Sequence, residues 1–197
     1  HYWFNGKRLM DRPVKEILAS GQPDFPFMLC WANENWSRNW DGKFRNILIE
    51  QHYSEEDDIE HMRYLCSKVF QDTRYIRIDG KPVFAIYRSN FFPNMKHTID
   101  VWRKVAKEEY GIELYLIRVE NEPDFGPKYL DCGFDSAMDF QPLLMGEFNA
   151  WWKNLPFRIM NHLFKGKYQW FNKHFSYASY VKYRIKKPLA DYKCFPC

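Results

Sequence analysis

The chain has 197 residues, 46% hydrophobic and 27% charged, with a formal net charge of +4; this excludes a disordered charged tail and gives no electrostatic footprint for nucleic acid. The length supports one core but falls short of the roughly 250 residues of a complete eightfold (β/α) barrel. The longest apolar runs, 25–31 and 82–87, are far below the roughly 20 residues of a membrane-spanning helix.

Residues 11–20 carry Val14, Ile17 and Leu18 at helical spacing, with Pro13 in the first turn and Gly21 as a stop. The continuous apolar run 25–31 predicts a strand covered on both faces. Residues 54–70 open on Ser54 with acids in the first turn and place Ile59, Met62, Leu65, Cys66 and Val69 on one helix face. Residues 75–78 and 82–87 flank Asp79-Gly80-Lys81 as two extended pieces. A helix over 98–110 ends at Gly111, and strands follow over 113–119 and 136–140. This alternation predicts an α/β fold of parallel βαβ units, a partial (β/α) barrel. From Leu143 the rhythm fails, which predicts an aromatic-rich insertion over 143–180 near the C-terminal end and a helix over 177–186. No glycine-rich phosphate loop follows any strand, so a nucleotide fold has no support.

The aromatic content of 19% exceeds what a core of this size needs. Some rings are therefore expected outside, at an interface or against the C–H face of a sugar. The cysteines Cys30, Cys66, Cys132, Cys194 and Cys197 are an odd set without a disulfide framework, which predicts a reducing, cytoplasmic setting. Cys194-Phe-Pro-Cys197 has no second pair or histidine cluster and reads as coincidence. His1-Tyr2-Trp3-Phe4 lacks Met and a leader pattern, so the chain reads as a fragment.

Reactive groups of (β/α) barrels lie at the carboxyl ends of the strands. Residues just past the predicted strands bring Glu34, Glu120 and Asp139 to one rim, as catalytic carboxylates. Glycosyl chemistry uses such groups to donate a proton to the leaving oxygen and to act as base, nucleophile or charge stabiliser. Trp31, Trp36 and Trp40 are expected to stack on sugar, and Asn33 or Asn35 to bind a hydroxyl. Asp41, Tyr87, Arg88 and Gln141 are expected beside them, and His1, Tyr2 and Trp3 as the end of an earlier strand on the same rim. The competing reading of each strand-end carboxylate is a cap or a surface partner. His52, His61 and His97 lack ligand spacing, so neither metal nor cofactor is expected. The acids 55–58 suit a helix N-terminus.

The strings 1–8, 24–27, Cys30-Trp-Ala-Asn-Glu-Asn-Trp36, Trp40-Asp-Gly42, Tyr75-Ile-Arg-Ile-Asp-Gly-Lys-Pro82 and 188–193 resemble the WbsX-type proteins, also called glycoside hydrolase family 99-like. The resemblance implies one TIM-barrel domain over 1–197, truncated at both ends, with a further strand beyond position 197. It also implies a glycosyltransferase or glycoside hydrolase acting in bacterial lipopolysaccharide O-antigen or capsule metabolism on an oligosaccharide or polysaccharide, lipid-linked in one version. The family 99 hydrolases use two glutamates three positions apart, and no Glu-x-x-Glu occurs in this sequence. The rival reading is a non-catalytic glycan-binding or assembly barrel. A third reading lays the basic aromatic segment 151–187 on a membrane surface, as a peripheral association.

Overall fold

The computed structural model describes residues 1–37, 47–120, 126–140, 159, 177–186 and 188–196. The chain divides into two units, His1–Phe140 with Tyr192–Cys197, and Gln141–Asp191.

In the first unit, β1 (Tyr2–Phe4) and β2 (Lys7–Leu9) pair antiparallel. Their turn places Asn5 (φ 45°) and Gly6 (φ 74°) in the left-handed region, as a two-residue hairpin turn requires. Helix α1 (Arg12–Ser20) has Pro13 in its first turn and ends where Gly21, left-handed, donates its N–H to the Ile17 carbonyl. Strand β3 (Leu29–Trp31) follows, then the antiparallel pair β4 (Trp36–Ser37) and β5 (Ile47–Ile49). Helix α2 (Glu55–Tyr64) is capped by Ser54, whose hydroxyl accepts from the Asp57 N–H, and widens into a π-helical turn over Leu65–Val69. Strand β6 (Arg77–Ile78) turns back into β7 (Lys81–Ile86), and α3 (Met95–Tyr110) leads to β8 (Tyr115–Glu120). After a 3-10 segment at Pro127–Cys132 comes β9 (Ser136–Asp139). The second unit contributes α4 (Tyr177–Lys186), and β10 (Cys194–Phe195) returns to the first.

The central sheet has the order β10-β9-β8-β7-β3, parallel throughout, with β6 antiparallel on β7. On the other side of β3, the His1 carbonyl accepts from the Ala32 N–H at 3.0 Å. Spatial order thus follows chain order, as in successive βα units. The fold is mixed α/β with a mostly parallel central sheet.

Side chains alternate across this sheet. One face carries Leu29, Trp31, Phe84, Ile86 and Leu116 into a core with Met62 and Leu65 from the α2 segment and Ile99 and Trp102 from α3. The other buries Val83, Ala85, Tyr115, Ile117 and Val119, with Cys30, Tyr87, Met138 and Phe140 against them. Burial on both faces explains why the strands read as unbroken apolar runs.

The strand expected over 25–31 is shorter. Pro26 offers no ladder donor, Phe27 makes only an isolated bridge to Tyr75, and Phe25 is exposed. The helix expected from 98 starts at Met95, because Asn94 accepts from the His97 N–H and caps it three residues earlier. The expected insertion 143–180 lies outside the described residues except for 159 and 177–180.

Candidate functional site

A cleft of about 500 Å³ opens past the carboxyl ends of the strands. Tyr2, Cys30, Ala32, Glu34, Asn35, Trp36, Ser37, Tyr87 and Phe140 line it. The alternation of strands selects them. Cys30, Ala32 and Glu34 follow one parity out of β3, Tyr87 continues the face of Val83 and Ala85, and Phe140 continues that of Met138.

Two ring pairs wall the cleft. Tyr2 stacks on Trp36 at 5.3 Å and 16°, and Tyr87 meets Phe140 edge-on at 5.6 Å. Glu34, on the same cleft, accepts at Oε1 from Arg88 Nε at 2.6 Å, with the Glu34 side chain 40% exposed. The Arg88 guanidinium lies 4.9 Å from the Tyr87 ring centre and 5.9 Å from that of Phe91. Burial pushes the Tyr87 hydroxyl above its ordinary value. Burial also pushes the Cys30 thiol up to about 11, so it is a neutral thiol at the cleft floor.

The neighbours of Glu34 are fixed by hydrogen bonds. Asn35 Oδ1 accepts from the Gln51 N–H at 2.7 Å, which ties the start of β4 to the exit of β5. Asn33 is fully buried and its amide is engaged by Arg88 backbone and the Tyr53 hydroxyl. It therefore cannot reach a sugar hydroxyl, which corrects the expectation for this residue. Burial pushes the Tyr53 hydroxyl up, so it remains a donor.

Other expectations are corrected by parity and burial. Trp31, 1% exposed, packs in the helix-side core against His61 and Phe92, and Trp3 stacks on His61 at 4.5 Å while its Nε1 donates to Asp57. Neither ring can offer a face to a sugar. His1 shares the parity of Trp3, its Nε2 lying 2.9 Å from Nε2 of His61; burial holds His61 far below the ordinary histidine range, so it is neutral. Glu120 is buried and points to the side opposite the cleft, sharing the parity of Leu116 and Arg118. Its Oε1 accepts from Arg118 Nη2 at 2.9 Å, from the Gly126 N–H at 3.2 Å and from the Tyr192 hydroxyl. These bonds anchor the carboxylate within the fold. Asp139 is the register partner of Glu120 and shares its face of the sheet. The expected convergence of three carboxylates is therefore not found. Among the described residues Glu34 alone brings a carboxyl group to the cleft. Trp40, Asp41 and Gln141 lie outside the described residues.

Sequence reasoning missed Tyr53, Cys30 and Phe140. The parity of the 30-32-34 series would have found Cys30; Tyr53 comes from a connection with no local signal. A second hollow of about 560 Å³, lined by Asn5, His52, Ser54, Glu56, Asp57, Ile59, Glu60 and Arg63, lies by the N-terminal turns of α2. Asp57 there is an anchor, accepting from Trp3 Nε1 and the Gly6 N–H. No three His, Cys, Asp or Glu side chains among the described residues are grouped to hold a metal ion.

Comparison with known proteins adds relatives. A solved structure titled glycoside hydrolase-like protein is similar at 17% identity and a TM-score of 0.41, covering 64% of this chain and 39% of that one. Two uncharacterized WxcX proteins, from the B100 and ATCC 33913 strains of Xanthomonas campestris pv. campestris, are each 29% identical over 195 residues. That alignment covers 99% of this chain but only 26% of each relative, so the chain spans about a quarter of their length. The model of the glycosyltransferase WbsX family matches residues 1–197, and the chain belongs to that family.

Proposed function

We propose that this chain forms part of a carbohydrate-active site that cleaves or transfers a glycosyl unit in bacterial surface polysaccharide metabolism. The observation that carries this reading is that Glu34 lines the same strand-end cleft as two aromatic pairs, in a space of monosaccharide-to-disaccharide dimensions. Flat apolar walls suit the C–H faces of pyranose rings, and a carboxyl group is what bond cleavage at the anomeric carbon requires. Arg88 orients Glu34 by holding Oε1, and among the described residues no second partner engages that carboxyl group. Glu34 then serves in proton transfer or in stabilising oxocarbenium charge. Family membership supports the substrate class. We place the polysaccharide in the lipopolysaccharide or capsule class and its acceptor on a lipid carrier at the cytoplasmic face.

A non-catalytic glycan-binding barrel is favoured by one specific observation. The cleft holds one carboxyl group among the described residues where glycosyl hydrolysis uses two. The deciding experiment incubates the full-length protein and its Glu34→Gln variant with lipid-linked oligosaccharide, with and without sugar nucleotides, and identifies products by mass spectrometry. Shorter or extended glycans from wild type, reduced at least about 100-fold in the variant, are expected. Binding without any product from wild type would replace the enzyme with the binding barrel.

A further inference from the structure

The end of β3 and the end of β7 are joined by more than the sheet. The last backbone bond of the ladder runs from the Tyr87 N–H to the Trp31 carbonyl at 3.1 Å. One step further, the side chain of Asn33 takes the place of a strand peptide. Its Oδ1 accepts from the Arg88 N–H at 2.8 Å and its Nδ2 donates to the Arg88 carbonyl at 2.8 Å. Nδ2 also donates to the Tyr53 hydroxyl at 3.1 Å, and that hydroxyl donates to the Asn33 carbonyl at 2.7 Å. Asn33 is fully buried, so these bonds are shielded from water. The residue after Asn33 is the cleft-lining Glu34, and the residue it grips is Arg88, which bonds to Glu34.

We propose that Asn33 and Tyr53 are positioning residues for the Glu34–Arg88 pair, a clamp that fixes both backbones so that the carboxyl group is presented in one orientation. The inference rests on the assignment of Glu34 above. Glu34 and Arg88 have long side chains with several rotatable bonds each. Fixing their backbones removes one source of displacement, and a displacement of about 1 Å at a reacting group costs on the order of 100-fold in rate. The Tyr53 ring packs against Phe92 at 4.4 Å and near Trp31 at 6.3 Å, so the hydroxyl can be removed while the ring stays packed.

The test compares Tyr53→Phe with Tyr75→Phe in the full-length protein. The Tyr75 hydroxyl accepts from the Leu29 N–H at 3.1 Å and donates to the Val83 carbonyl at 2.6 Å, so it also ties β3 to β7, but at the end away from the cleft. Each variant loses two hydrogen bonds of a buried network at β3, to Asn33 in one case and to Leu29 and Val83 in the other, and a purely structural role predicts the same outcome for both. Turnover is measured on lipid-linked oligosaccharide, and the stoichiometry of binding a short oligosaccharide of the surface polysaccharide by calorimetry. Tyr53→Phe is expected to lower kcat about tenfold with binding stoichiometry and KM unchanged, and Asn33→Asp, which loses both Nδ2 donations, at least as much. Tyr75→Phe is expected to keep kcat within about twofold. Equal kcat in the two tyrosine variants overturns the clamp. Wild-type turnover in Glu34→Gln overturns the assignment of Glu34 and the clamp with it, whereas loss in Glu34→Gln with an unaffected Tyr53→Phe overturns the clamp alone.

Discussion

The Arg118–Glu120 pair allows the sharpest separation of a structural from a catalytic carboxylate. Both side chains are enclosed, 0% and 7% exposed, with Nη2 and Oε1 at 2.9 Å. In Glu120→Gln the shape and an acceptor oxygen remain, but the charge that Glu120 sets 2.9 Å from the buried guanidinium is lost. Breaking one half of a buried pair costs about 3–5 kcal/mol. The amide oxygen of glutamine can still accept from Arg118 or Tyr192, so the lower figure applies. A local loss of about 3 kcal/mol corresponds to on the order of 100-fold faster hydrogen exchange at the slowest amides. Those of β8 and β9, which pair from Ile117–Ser136 to Glu120–Asp139, should show it. Exchange followed by mass spectrometry on the full-length protein is the assay. Arg118→Met combined with Glu120→Leu should recover part of that loss, because an apolar pair carries no uncompensated charge. Exchange accelerated less than about threefold in Glu120→Gln, together with turnover lost at least 100-fold, would refute this reasoning and return Glu120 to the catalytic carboxylates.

Asp58 is enclosed between α2 and α3, and burial pushes its carboxyl group up to about 6 from 3.8, opposed by the Thr98 hydroxyl that donates to Oδ2 at 2.9 Å. The folded state therefore keeps a proton that the unfolded chain releases, a contribution that is fully present below about pH 4 and lost as pH rises through about 6. Asp58→Asn should remove this slope and raise stability at pH 7 by on the order of 2 kcal/mol, read from urea midpoints across pH 4–7; a variant no more stable than wild type at pH 7 would sink the argument. Cys30, with its thiol at about 11, should react with iodoacetamide at pH 8 at least about tenfold more slowly than a free cysteine and gain reactivity as pH rises. Peptide mass spectrometry after timed quenching checks it, and alkylation at the free-thiol rate would contradict the enclosed, neutral thiol.

The amphipathic helices were legible because their caps and spacing are local: Ser54 and Gly21 stand where the structure uses them. The β1–β2 hairpin carries a local signal too, in Asn5-Gly6, a dipeptide that suits two left-handed residues in succession. Strand β10 carries none, since Cys194–Phe195 is two residues long and pairs with β9 only because the chain returns from the second unit. The partners of the Asn33 network were equally out of reach. Tyr53 lies 20 residues from Asn33, and Arg88 lies 55, with nothing local in either segment to announce the contact.

The carboxylates are placed apart for a different reason. Looking one or two residues past each strand locates the strand ends correctly but treats the residues there as equivalent, whereas alternation sends neighbours to opposite sides. Where a strand is apolar on both faces, no binary pattern tells which parity faces the cleft. β8 nevertheless carries its own marker. Arg118 interrupts an otherwise apolar strand two residues before Glu120, so the two share a face, and a fully buried arginine requires an anion on that face. Glu34 has no such partner in its own strand. Its arginine comes from the end of β7, and a charge pair assembled from two strand ends, rather than within one, meets where those strands open onto the cleft. Whether a strand-end carboxylate finds its cation two residues back or across the sheet is thus the physical distinction between Glu120, enclosed beside Arg118, and Glu34, which lines the cleft.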